Sequence, residues 1–146
     1  MKKVLLGIII GITVLIDSTF IVAQEKVNYK IIVNTENPVS SLTKIQIARL
    51  FLKKQTYWSS GVKVVPVDQL PQKAIRKSFS KDILKKSISS VKSYWQQQIF
   101  SGRANPPVEK SSDLEVINFV KNNRGAIGYI SKNTKTPPNI KVITVK

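Results

Sequence analysis

Apolar positions recur along this chain in two rhythms, and the alternation between them predicts its elements. Tyr29-Lys30-Ile31-Ile32-Val33 is a short apolar run ended by the turn-rich stretch Asn34–Pro38, which predicts a buried strand. Thr43-Lys44-Ile45-Gln46 has the spacing of a capping box. Ile47, Leu50 and Phe51 then share one face, predicting a helix to about Lys53. Thr56 to Gly61, with Tyr57 and Trp58, reads as a loop, and Val62 to Val67 as a second strand. Pro71 suits a first helical turn, after which Ile75, Phe79 and Ile83 repeat every fourth residue. Ile88, Val91, Trp95 and Ile99 give the stripe of a third helix, stopped by Ser101-Gly102. Ser112-Asp113-Leu114-Glu115 is a second capping box, heading a fourth helix that turns Val116, Ile117 and Val120 inward and stops at Gly125. Ala126 to Ser131 and Ile140 to Val145 are the closing strands, parted by Pro137-Pro138. Strands and helices alternate, so the expected fold is an α/β sandwich, a small mixed sheet flanked by about four helices.

The first residues follow a different pattern. Met1-Lys2-Lys3 is a basic start, and Val4 to Ile16 is a nearly unbroken apolar run. That run is short for a bilayer span but has the length of a signal-peptide core. Polar Asp17, Ser18 and Thr19 follow, and small Ala23 suits the position before a cleavage point. Residues 1–23 are therefore expected to be a signal peptide and 24–146 the mature domain, placed in the periplasm. The alternative is an inner-membrane anchor running through Val22 and facing the periplasm, which would hold Asp17 in hydrocarbon at a cost. No Cys follows the apolar run, so no lipoprotein anchor is expected.

Composition narrows the chemistry. The 146 residues suit one domain, with no second domain, linker or repeat evident. There is no His and no Cys, which removes the commonest acid–base group, thiol nucleophiles, disulfides and thiolate metal sites. Among only eight carboxylates, Asp113 and Glu115 are the nearest pair, and they sit where a helix dipole stabilises acids. No nucleophile–base set remains, so no enzyme, cofactor or metal is expected. A 42% hydrophobic content is enough for a core, so the net charge of +16 does not imply disorder.

Several segments fall in a recognisable order. They are Leu42-Thr43 and Ile47-Ala48-Arg49-Leu50-Phe51-Leu52, Tyr57-Trp58-Ser59-Ser60-Gly61-Val62, Val65-Pro66-Val67 and Arg76-Lys77-Ser78-Phe79. Tyr94-Trp95, Ile99-Phe100-Ser101-Gly102, Asn105-Pro106-Pro107 and Gly125-Ala126-Ile127-Gly128-Tyr129-Ile130 follow. Together these resemble the PstS-like phosphate-binding proteins of ABC transporters, in a short single-lobe form. The resemblance runs from about Tyr29 to Ser131. It implies a single-lobe, periplasmic binding protein type II-like domain equivalent to the second of two lobes. A lone lobe offers half of the usual cleft, so the resemblance also implies a second lobe, copy or protein partner, and an ABC permease. In that family a Ser-Gly-Thr loop opens the helix after the second strand, often followed by Arg, two residues and Phe. Arg76 and Phe79 match the trailing pair, whereas Lys73-Ala74-Ile75 replaces Ser-Gly-Thr, and no arginine lies in Asp68 to Pro71.

The candidate ligand residues for phosphate or another small oxyanion are thus Arg76 and Lys73, with Ser40, Ser41 and Thr43 at the first helix start. Each has a plainer role open to it. Arg76 can be a surface arginine, solvated or paired with Asp82, and Thr43 a cap beside two loop serines. Trp58 and Trp95 are expected in the core, and Gly125 and Gly128 lack the spacing of a nucleotide fingerprint. Lys77, Lys81 and Lys85 follow helical i+4 spacing and could meet an anionic envelope surface. With four arginines and no interleaved aromatics, specific nucleic-acid reading is not expected. Two functions follow: a secreted solute-binding protein for an oxyanion, or an envelope interaction protein using the same fold with its basic face against a protein partner or anionic surface.

Overall fold

The computed structural model describes residues 29–146, so the predicted signal peptide lies outside the described residues. β1 (Tyr29–Asn34) is an inner strand of the sheet, and its period of two sets the layers. Tyr29, Ile31 and Val33 face one side, with Ile127 and Tyr129 of β5 (Ala126–Ser131). Packed over them are Ile47, Leu50 and Phe51 of α1 (Lys44–Phe51), Phe79 of α2 (Ala74–Phe79), and Val91 and Trp95 of α3 (Ile88–Phe100). Ile32 joins Ala126 and Ile130 on the other side, with Val67 of β3 (Val65–Gln69), under Val116, Ile117 and Val120 of α4 (Asp113–Lys121). Three layers result, and both faces of the sheet are covered.

Two further strands complete the sheet, β4 (Val108–Lys110) and β6 (Ile140–Val142), in the order β4-β3-β5-β1-β6. β3 is parallel to β4 and β5, and β1 is antiparallel to both β5 and β6. Four strands therefore end at the same edge, here the upper edge. A small parallel pair, β2 (Ser41–Leu42) with β7 (Thr144–Val145), lies beside it. Gly128 has a reason to be glycine: a Cβ there would come 2.8 Å from methyls of Val116 and Val67, so α4 could not lie this close. At the opposite end of α4, Asn34 Nδ2 donates to the carbonyls of Val120 (3.1 Å) and Lys121 (2.9 Å), satisfying two groups the helix leaves open.

The mixed α/β sandwich with four α-helices matches the expectation, with local corrections. Pro71 lies in a turn and α2 starts at Ala74, because the chain first closes back through Lys73 N to Leu70 O (3.0 Å). After Phe79 the helix widens into a π-turn (Ser80–Leu84) that ends on Lys85 in the left-handed region, φ 53°. Ile99 is exposed, so the apolar stripe of α3 stops at Trp95. The second strand begins at Val65 rather than Val62, and the last is split into β6 and β7 around Ile143. The Ser112 capping box is half formed. Ser112 caps Glu115 N, but the Glu115 carboxylate accepts instead from the backbone N–H and hydroxyl of Ser111.

Candidate functional site

α2 and its π-turn form a rod laid across the strands. Three helical residues advance about 4.5 Å, close to the strand spacing of about 4.8 Å, so every third side chain meets the next strand. Arg76 Nη2 reaches Asp68 Oδ2 of β3 at 3.0 Å. Phe79 stacks on Tyr129 of β5, with ring centroids 3.9 Å apart and planes within 6°. Asp82 accepts from the Tyr29 hydroxyl of β1 and from Lys44 Nζ at the start of α1.

The Arg76 end is buried, with both side chains of its ion pair 4% exposed. Arg76 Nη1 donates to Ser80 Oγ at 2.8 Å, the Tyr129 hydroxyl donates to Asp68 Oδ1, and Asp68 Oδ1 also accepts from Gln69 N at 2.9 Å. Burial pushes the Asp68 carboxyl above its ordinary range, against the pull of Arg76 and the Tyr129 hydrogen bond. Burial and the Asp68 charge push the Tyr129 hydroxyl up as well. Arg76 is thus neither solvated nor paired with Asp82, correcting the plainer reading of its role. An anion reaching it would meet a guanidinium already engaged by Asp68 and Ser80.

Lys73 is placed differently. It stands exposed at the N-cap of α2, with no side chain hydrogen-bonded across that helix start. The turn below it is fastened to β4 by Leu70 N to Lys110 O at 3.1 Å. Beside it, Asp113 at the start of α4 accepts from Gln69 Nε2 (2.9 Å), Ser131 N (3.0 Å) and Thr134 Oγ1 (2.6 Å). Burial would raise the Asp113 carboxyl, but these bonds outweigh it and hold it below the ordinary range. The Ser111 bonds hold Glu115 low, with Lys110 and Lys73 adding to the effect. The upper edge thus carries Lys73 and Ser111 over a tied-down floor of Gln69, Asp113 and Thr134, while Lys110 at the end of β4 turns its ammonium along α4, 5.5 Å from the Phe119 ring centroid. Ligands in open α/β sheets characteristically bind outside the carboxyl ends of the strands.

Solved structures share this fold. A phosphate ABC transporter substrate-binding protein with bound phosphate from Clostridium perfringens matches 81% of this chain and 44% of its own, at 20% identity and a TM-score of 0.65. PstS from Borrelia burgdorferi matches 82% of this chain and 47% of its own, at 14% identity and a TM-score of 0.63. An ABC-type phosphate transport receptor from Vibrio cholerae matches 81% and 46%, at 20% identity and a TM-score of 0.54. The fold is PstS-like. This chain spans less than half the length of those PstS-like structures. No protein-family model and no curated protein matches the sequence.

Within this PstS-like fold the remaining candidates take structural roles. Thr43 caps α1, accepting from Gln46 N at 3.1 Å while Gln46 Oε1 accepts from Thr43 N at 2.8 Å. Ser40 O accepts from Thr144 N, and Ser41 lies in β2. These residues are not brought to Lys73. α1 starts beside Asp82, nine residues further along the rod, or about 13 Å at helical rise. Trp58 and Trp95 are both core residues, and Trp58 Nε1 donates to Gly125 O at 2.9 Å. Lys77, Lys81 and Lys85, with Lys86, Ser87 and Ile88, line a groove of about 560 Å³. Among the described residues no cluster of three or more acidic, His or Cys side chains could hold a metal, and no helix is long and apolar enough to cross a membrane. The residues that sequence reasoning missed are Asp68, Gln69, Ser80 and Tyr129 around Arg76, and Lys110, Ser111 and Thr134 near the upper edge. For the first group the one visible signal was a carboxylate at the end of an apolar strand, eight residues before an arginine.

Proposed function

We propose that the protein is a secreted, non-catalytic solute-binding module that holds a small oxyanion, phosphate foremost, at the upper edge of its sheet. The observation that carries this reading is the fold it shares with phosphate-transport proteins, with Lys73 exposed at the start of α2, just past the carboxyl end of β3. Charge complementarity and backbone donors would do the binding, with no bond broken. Arg76 acts from beneath, fixing α2 on β3 so that Lys73 and the turn before it keep their place. The chain spans under half of its structural relatives, and this reading assigns the far wall of the site to a second lobe, a second copy or a membrane-embedded ABC permease as partner.

A melting titration with phosphate tests this, with sulfate and chloride at matched ionic strength. A ligand confined to the folded state stabilises it by about 2.7 kcal/mol at a hundredfold excess over Kd, worth several degrees in a domain of this size. A saturating, phosphate-selective rise that Lys73→Gln removes is the expected result. Equal rises with all three salts would instead mean screening of the positive charge. The second reading, an envelope interaction protein meeting an anionic surface, is favoured by the lysine-lined groove along α2. It expects losses spread over Lys77 and Lys85 rather than concentrated at Lys73.

A further inference from the structure

A second cavity lies away from the upper edge, between the loop at 35–40, α1 and the loop at 55–60. It measures about 260 Å³ and is lined by Asn37, Pro38, Val39, Leu42, Gln46, Leu50, Gln55, Trp58 and Ser59. We propose that this cavity binds a small neutral polyhydroxylated molecule, of the size and chemistry of a single sugar ring.

Charge gives the first argument. In a chain with 24 Lys+Arg and 8 Asp+Glu, the lining contains no ionisable side chain. An anion would find no counter-charge there, and a cation would find no carboxylate within a strongly positive molecule.

The amides give the second. Asn37 Oδ1 accepts from Val39 N (3.0 Å), Gln46 Oε1 accepts from Thr43 N (2.8 Å), and Gln55 Nε2 donates to Tyr57 O (3.2 Å). Each amide is thus oriented by a backbone bond at one end. Among the described residues the Asn37 and Gln46 amino groups, the Gln55 carbonyl and the Ser59 hydroxyl are left for a ligand. Donors and acceptors in one cavity suit hydroxyl groups, which are both.

The third argument is the apolar wall. Trp58 is 7% exposed and its indole N–H is taken by Gly125, so the ring is fixed beside Leu42 and Leu50. An anchored aromatic with flanking aliphatics suits the C–H face of a sugar. The volume corresponds to roughly nine waters at ~30 Å³ each, room for one ring and not two. The inference stands apart from the oxyanion reading, because it shares no residue with the upper edge.

The test is a 15N–1H NMR titration of the purified protein with glucose, N-acetylglucosamine, ribose and myo-inositol, following the Asn37, Gln46 and Gln55 side-chain amides and the Trp58 indole. Saturable shifts at those signals with at least one probe are expected. Ser59→Leu, which fills the cavity mouth, and Gln55→Leu, which removes a polar partner, should each weaken binding roughly tenfold. Both positions lie outside the core, so the variants should melt near the parent. No saturable shift with any probe would overturn the proposal. So would binding unchanged in both variants, or glucose 6-phosphate binding this cavity more tightly than glucose at matched ionic strength.

Discussion

At one end of the α2 rod Asp68 meets Arg76 and Tyr129; at the other, Asp82 meets Lys44 and Tyr29. The chemical parts are the same: a carboxylate, a tyrosine hydroxyl and a cation, joining helix to sheet. Their surroundings are not. The first ion pair is 4% exposed on both sides, whereas the side chains of Lys44 and Asp82 are 43% and 23% exposed. The two carboxyls consequently move in opposite directions. Burial dominates at Asp68 and raises it. At Asp82 burial is outweighed by the Lys44 and Tyr29 hydrogen bonds, and the carboxyl is held low. The cation type follows the setting. Arginine keeps its charge when desolvated and serves Asp68 and Ser80 through different nitrogens, while a flexible lysine suffices at the wet end. The buried cluster is therefore the rigid anchor that sets α2, and with it the upper edge. The exposed cluster is a weaker clasp between α2, α1 and β1.

Substitutions can break this contrast, starting at the anchor. Arg76→Met leaves the Asp68 carboxylate buried without its counter-charge and should cost about 3–5 kcal/mol in urea unfolding. Adding Asp68→Leu should recover part of that loss, since an apolar pair needs no counter-charge, although the Tyr129 hydroxyl and Gln69 N–H lose an acceptor. A double variant as unstable as the sum of its singles would remove the anchor from the account. Next in size is Tyr129→Phe. It keeps the stacking on Phe79 but deprives Asp68 of a donor, at about 1.5–3 kcal/mol, against about 1 kcal/mol or less for Tyr29→Phe.

Acid sharpens the comparison further. Asp82, held low in the folded state, contributes stability that is present above the ordinary carboxylate value near ~3.9 and is lost as pH falls through its lower folded value. Asp68, held high, takes up its proton earlier in the folded state, so its own contribution improves as pH falls. Melting below about pH 4 should therefore decline less steeply in Asp82→Asn than in the parent. A parallel decline would contradict this assignment. The smallest effect expected is Lys44→Met, below about 1 kcal/mol and smaller still in 1 M salt, where the half-exposed pair is competed by solvent ions.

The layers were legible in the sequence because local signals decide them. The short apolar run Tyr29–Val33, the Thr43–Gln46 capping box and the Val116–Val120 stripe each state their own element. What crosses between elements was not legible. Asp68 and Arg76 are eight residues apart, yet their pairing depends on α2 crossing β3 at that point. Tyr129 joins them from sixty-one residues away. β2 and β4 are too short to carry a period, and they exist because β7 and β3 offer them partners. At the upper edge, Lys73 was legible from its place in the expected first helical turn, where the Ser-Gly-Thr loop of the PstS-like proteins falls. Its neighbours Lys110 and Ser111 were not, because parallel pairing of β3 with β4 brings them there.

We propose that an oxyanion is held at the upper edge by residues that Arg76 positions without touching the ligand. A phosphate titration followed by 15N–1H NMR tests it most directly, with chloride at equal ionic strength as reference. The account predicts saturable, phosphate-specific shifts confined to residues 69–76, 110–113 and 131–134. Shifts centred on Lys77 to Ile88, or a response that chloride reproduces throughout, would contradict it.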